Sequence, residues 1–309
     1  MKNLINKFLF ATFFFLLLGF SHAKAELQVV TSIKPIHSLA SLLMDGIGTP
    51  KLIVDGSNSP HNFTLKPSHA KMLQNADLVF WVGEDIETFL EKPLGTVAKK
   101  AKKIELMEIS QIKKLKFREK NIFEGHHDDH GHKKHDDHGH AHGEHDPHIW
   151  LDPLNAKVIL TVMAKNMKMM DKKNSAKYDA NLKKVNAKID GLVSEINKDI
   201  NKNAKYVVFH DAYQYFEKRF GLKTLGALTV NTDVLPGAEQ LKDIRKVIKK
   251  ENAKCIFSEP QFNPKIIKAI AKDTNIKTGV LDPLGADLKN NKDLYFKLLN
   301  NLSNSLRKC

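Results

Sequence analysis

The chain has little cysteine. Two residues, Cys255 and Cys309, occur in 309, and they form no CxxC pair. That spacing argues against a thiolate metal knot. No H-E-x-x-H or comparable compact motif is present, so the signature of a helical zinc protease is missing. After the first 25 residues no second long apolar run appears, and nothing else is expected to cross a membrane. Acidic residues are also in deficit: 35 Asp and Glu face 49 Lys and Arg, a formal charge of +14. The lysines are spread along the whole chain, which suits solvated helix faces better than a nucleic-acid surface. A basic surface would still favour approach to an anionic membrane face.

What is present begins with an export signal. Lys2 and Lys7 make a basic start, Phe8 to Phe20 is almost wholly apolar, and Ala23, Lys24 and Ala25 form a small-x-small cleavage pattern. This order reads as a signal peptide over residues 1–25. The alternative, a membrane anchor, requires a longer apolar run. No cysteine stands near the cleavage point, so lipid attachment is not expected there. Loss of Lys2, Lys7 and Lys24 lowers the charge from +14 to +11. The mature chain is predicted to be periplasmic, where a lone cysteine pair usually forms a disulfide.

Short apolar strands alternate with helices from Leu27 to Leu106, and again from Tyr206 to Leu306. Such alternation implies parallel βαβ units. Between them, Leu182, Val185, Ile189, Leu192, Val193, Ile196 and Ile200 form one apolar stripe at three-and-four spacing. That pattern predicts a long helix. The expected fold class is α/β: two βα lobes with parallel sheets, joined by one backbone helix; if the two sheets face each other, their strand ends meet in the cleft between the lobes, where a metal site would lie. The expected boundaries are an N-terminal lobe over 26–173, a linker helix over 174–202 and a C-terminal lobe over 203–309. Residues 116–145 interrupt the first lobe as a polar loop too poor in apolar residues to offset its ordering entropy.

Four residues share one kind of place. His61 follows a strand and a turn, and His148 stands in Asp146-Pro-His-Ile-Trp-Leu-Asp-Pro153. His210 directly follows Tyr206 to Phe209, and Asp282 directly follows the strand that reaches Leu281. Open parallel sheets bind ligands beyond their strand carboxyl ends. Three imidazoles and one carboxylate suit tetrahedral zinc. Asp282 has a plainer role open to it, capping the Pro283 turn. His37 and His69 fall within predicted helices and read as structural. The polar loop carries nine histidines in twenty residues: His126, His127, His130, His132, His135, His138, His140, His142 and His145. Mixed with carboxylates, they suit borderline divalent metals, as several weak sites rather than one tight one.

The chain resembles the periplasmic zinc-binding component of bacterial ABC importers, the ZnuA type, among metal-specific solute-binding proteins. The resemblance runs from Leu27 to Cys309. It is carried by Ser32-Ile-Lys-Pro-Ile-His-Ser38, Pro60-His-Asn-Phe-Thr-Leu-Lys-Pro-Ser68, Asn75-Ala-Asp-Leu-Val-Phe-Trp-Val-Gly83, Asp146 to Pro153, Phe209-His-Asp-Ala-Tyr213, Glu259-Pro-Gln-Phe262 and Leu281-Asp-Pro-Leu-Gly285. It implies His61, His148 and His210 as ligands, with Asp282 or water fourth. Pro60 stands where some zinc members carry an acidic residue. Manganese-binding relatives have Glu at the position of His210, so His210 points to zinc. Cys255 and Cys309 match a disulfide of zinc-binding members.

The resemblance implies a protein that is not an enzyme. It would work as a monomer without nucleic acid, and would deliver Zn2+ to an inner-membrane permease with its cytoplasmic ATPase. The competing readings are a manganese-binding relative, a His-rich zinc buffer, a zinc hydrolase and a metal-dependent adhesin.

Overall fold

The computed structural model describes residues 26–118, 121–122, 143–230, 232 and 236–309. The signal-peptide segment and His126 to His142 lie outside the described residues. Two four-stranded sheets are built alike. In the first, β1 (Val29–Ile33), β2 (Lys51–Val54), β3 (Leu78–Trp81) and β4 (Lys102–Glu105) stand in the order β2-β1-β3-β4, all parallel. In the second, β5 (Tyr206–His210), β6 (Gly226–Thr229), β7 (Cys255–Ser258) and β8 (Lys277–Val280) repeat that order as β6-β5-β7-β8.

The central strands are apolar on both faces because helices cover both. All five residues of β1, all four of β3 and all five of β5 are buried. The edge strands differ: β4 and β8 begin with exposed lysine. Charge on an unpaired edge discourages pairing with another chain.

Nine α-helices lie among the described residues: α1 (Lys34–Leu43), α2 (Pro67–Gln74), α3 (Thr88–Thr96), α4 (Pro153–Met170), α5 (Ser175–Asp199), α6 (Gln214–Phe220), α7 (Ala238–Lys250), α8 (Lys265–Thr274) and α9 (Leu294–Arg307). The predicted long helix is α5, whose 25 residues bury Tyr178, Val185, Ile189, Leu192 and Ile196. At 1.5 Å per residue it is about 37 Å long. α3 carries Pro93 in its interior and ends at Thr96. β6 is an element the sequence pattern does not announce.

The two halves share one core. A single apolar cluster joins β1, β3, α1, α4 and α5 to Tyr206, Val208, Phe216, Phe257 and the buried face of α9. A smaller cluster fills the other face of the second sheet, under α7 and α8. Although α9 ends the chain, it packs against α1 and α5 of the first half. Polar ties follow the same seam. The buried Lys34 ammonium donates to the carbonyls of Ala286 and Leu288 at 2.7 and 2.9 Å. Trp150 Nε1 donates to Pro283 O, and Tyr295 OH to Trp150 O, both at 2.8 Å. The expected disulfide is present between Cys255, the first residue of β7, and Cys309, with Cα atoms 5.7 Å apart. No helix among the described residues is long and apolar enough to cross a membrane.

Candidate metal centre

His210 is the last residue of β5, and Glu259 directly follows β7. Strand order reverses between these two neighbours, so the pair sits at the topological switch point of the second sheet. Crevices at such points are the usual ligand sites of open α/β sheets. His61 is carried by the loop after β2. His148 precedes a short 3-10 turn, Ile149–Leu151, that leads into α4. Asp152 caps α4 by accepting from Leu154 N at 2.8 Å. Its carboxylate also takes a two-pronged contact from Arg219 of α6, with Nε and Nη2 both at 2.7 Å. The His148 turn is therefore fixed to both halves of the molecule.

These elements bring three of the four predicted ligands together. One nitrogen from each of His61, His148 and His210 lies within 4.8 Å of the others. His148 and His210 are buried, and His61 is partly exposed. Behind each buried ring stands a carboxylate. His148 Nδ1 lies 2.7 Å from Asp146 Oδ1, which also accepts from the His148 backbone N–H at 3.0 Å. His210 Nδ1 lies 2.7 Å from Glu259 Oε1. Each Nδ1 is thus the donor, and each Nε2 turns a lone pair into the cleft.

The two Nε2 atoms face each other at 3.3 Å. With both rings neutral these are two facing lone pairs, a pair that a shared proton or a metal ion would bridge. Tetrahedral zinc with nitrogen bonds of about 2.0–2.1 Å spaces its ligands about 3.3–3.4 Å apart, which the observed distance fits. Burial, followed by the charge of His210, pushes His148 well below the ordinary histidine value and favours the neutral, ligating form. Burial also opposes protonation of His210, but the Glu259 charge and hydrogen bond outweigh it and raise that pKa. Burial pushes both Asp146 and Asp211 up to about 7.

Asp282 is not among the grouped ligand atoms. Its Oδ1 accepts from Leu284 N and Gly285 N at 3.0 Å and from Gln261 Nε2 at 2.9 Å, and its Oδ2 accepts from Ala286 N at 2.5 Å. The carboxylate is occupied by the turn after it, the plainer of its two expected roles. His37 and His69 lie apart from the cluster. His37 contacts Pro50 O at 3.1 Å, and His69 Nδ1 accepts from Lys66 N at 3.1 Å. His145 pairs with Lys116 in an isolated antiparallel bridge at the base of the loop.

Sequence reasoning assigned no role to Asp146, Glu259 or Arg118. The strand-end rule that singles out His210 applies equally to Glu259, which follows Ser258. The inner wall of the centre is mostly apolar, with Trp150, Phe262 and Leu284. Its outer side opens to a cavity of about 300 Å3 that Asp85, Arg118 and Asp211 also line.

Residues 29–309 match the family model described as zinc-uptake complex component A, periplasmic. The chain is 44% identical to the high-affinity zinc uptake system protein ZnuA of Brucella abortus (strain 2308), over 100% of this chain and 99% of that one. It is 38% identical to the protein of the same name from Yersinia pestis, over 92% of each. A crystal structure of a ZnuA superposes with a TM-score of 0.74 at 25% identity, covering 91% of this chain and 99% of that one.

Proposed function

The chain belongs to the ZnuA family of periplasmic zinc-uptake components, and on that premise we propose that His61, His148 and His210 are the ligands of its transported zinc ion. The protein is the zinc-binding component of an ABC importer: it captures Zn2+ and delivers it to a membrane permease driven by an ATPase. The observation that carries the site assignment is the 3.3 Å approach of two Nε2 atoms whose Nδ1 partners are both carboxylates. That arrangement presents basic nitrogen lone pairs at tetrahedral spacing, a donor set that suits zinc better than manganese.

In this reading residues 1–25 are a cleaved signal peptide, and the mature chain works as a monomer and performs no catalysis. The lobes at 26–173 and 203–309 are held by α5 and move little, because the apolar core runs across their seam. The loop histidines, His126 to His145, supply weaker secondary sites. The fourth position at the primary site is taken by water, since Asp282 is engaged elsewhere.

The test is zinc titration against a competing chelator in mature protein lacking residues 124–144, beside the same protein with His210→Ala. One tight site that survives the deletion and collapses in the mutant is expected. Tight binding that vanishes with the loop and ignores His210 makes the protein a His-rich buffer instead.

A further inference from the structure

Close to the three imidazoles lies a cation that zinc ligation itself does not use. Arg118 comes from the first half of the chain. Its Nη1 lies 2.9 Å from Asp211 Oδ1 and its Nη2 2.5 Å from Glu217 Oε2. Both carboxylates belong to the second half, and their side chains are only 4% and 2% exposed. Asp211 is the residue after His210. Glu217, on α6, also accepts from the hydroxyl of Tyr206, the first residue of β5, at 3.2 Å. The guanidinium therefore grips the end of β5 and the helix packed beside it. The same stem adds a backbone tie, since Gln214 Nε2 donates to Lys116 O at 3.3 Å. The charge of Arg118 also reaches Asp146, the carboxylate behind His148.

We propose that Arg118 is a positioning residue for zinc binding: it clasps the turn that carries His210 and so holds that imidazole in register with His61 and His148 across the seam. Two observations support this. The fork spans two carboxylates on different elements, a geometry that the point charge of lysine does not reproduce. Those carboxylates are buried, and a buried pair broken on one side leaves an uncompensated charge that forces local rearrangement. The rearrangement would fall on the residue adjoining His210. The inference rests on the zinc site proposed above.

The competing explanation is an ion pair that serves folding alone, and three variants of the full mature protein separate the two. Zinc dissociation is followed by chelator capture, and ligand geometry by the visible absorption of the Co2+-loaded protein. Arg118→Met should speed zinc loss about 10- to 100-fold, the usual cost of removing an outer support of a metal ligand, and should change the Co2+ spectrum. Arg118→Lys should recover part of both. The triple variant Arg118→Met, Asp211→Asn, Glu217→Gln leaves no buried charge unpaired in the cluster. It should regain thermal stability while still losing zinc quickly, and it serves as the test if Arg118→Met does not fold. A wild-type dissociation rate and Co2+ spectrum in Arg118→Met, or in the triple variant, overturns the proposal. His210→Ala is run in parallel. If it binds zinc as wild type does, the site assignment fails and this inference falls with it. If it abolishes tight binding while the Arg118 variants behave as wild type, only the positioning role is lost.

Discussion

Glu259 is the sharpest point at which to perturb the centre without touching a proposed ligand. Its carboxylate holds His210 Nδ1 at 2.7 Å and lies 3.3 Å from the His210 backbone nitrogen, so it fixes both the tautomer and the ring direction. Removing such a support typically weakens metal binding about 10- to 100-fold, or roughly 1.4–2.7 kcal/mol. The two obvious substitutions should divide that range. Glu259→Gln keeps an acceptor oxygen in place but loses the charge, and a neutral hydrogen bond is about half as strong as a charge-assisted one. It should fall near the tenfold end. Glu259→Ala removes the acceptor altogether, frees the ring to turn and should fall near the hundredfold end. The assay is competition for zinc against a chromophoric chelator, in protein lacking residues 124–144 so that loop histidines do not mask the change. Thermal unfolding of each metal-free variant shows whether the fold is intact. Wild-type affinity in both variants would refute the reasoning, since the carboxylate would then have no part in presenting His210. Equal losses in the two variants would also count against it, because the argument depends on graded support.

Other consequences are open to measurement. Burial raises the Glu87 pKa from 4.5 to about 8, so its contribution to stability is full below about pH 4.5 and is lost as pH rises toward 8. Glu87→Gln should therefore gain stability relative to wild type with rising pH, by a few kcal/mol at most; unfolding midpoints that run parallel from pH 5 to 8.5 contradict this. Lys34→Met removes the buried ammonium that satisfies Ala286 O and Leu288 O, and should cost about 1–3 kcal/mol in urea unfolding. An unchanged midpoint with an unchanged slope would show that this seam contributes nothing. The Cys255→Ser, Cys309→Ser double variant opens a loop of 54 residues, for which chain entropy predicts a loss of about 4 kcal/mol. The same unfolding assay, with and without reductant on wild type, checks it.

Much of the frame was legible because its causes are local. Val29–Ile33, Leu78–Trp81 and Tyr206–His210 are apolar runs that sheets covered on both faces require, and α5 declares itself through its stripe. β6 was not legible, because Gly226–Thr229 is short and owes its strand conformation to pairing with β5. The strand-end expectation holds for His210, the last residue of β5, and loosely for His61 in the loop after β2, but not for His148, which precedes a 3-10 turn far from any strand and was marked only by its motif. The same rule also produced Asp282, and rules of place do not say which carboxylate turns outward. In the structure Asp282 binds the backbone of its own turn, whereas Glu259 faces His210. Arg118 had no such marker. Its role depends on which buried carboxylates a distant segment meets, and that is a property of the seam rather than of any stretch of sequence.

Two sheets with the same order have two switch points, yet only one gathers the histidines. At the β5–β7 point the chain places His210 and Glu259. At the matching β1–β3 point it places Lys34, directly after β1, with its ammonium given to Ala286 O and Leu288 O of the other half. Asp282 accepts three backbone N–H groups from the turn that presents the first of those carbonyls. The first crevice is thus filled by the other half of the chain, and the second borders the cavity that the three histidines line. This division places the Asp282 carboxylate, an acidic group at a strand end, in the joint between the two halves instead of among the grouped histidine nitrogens.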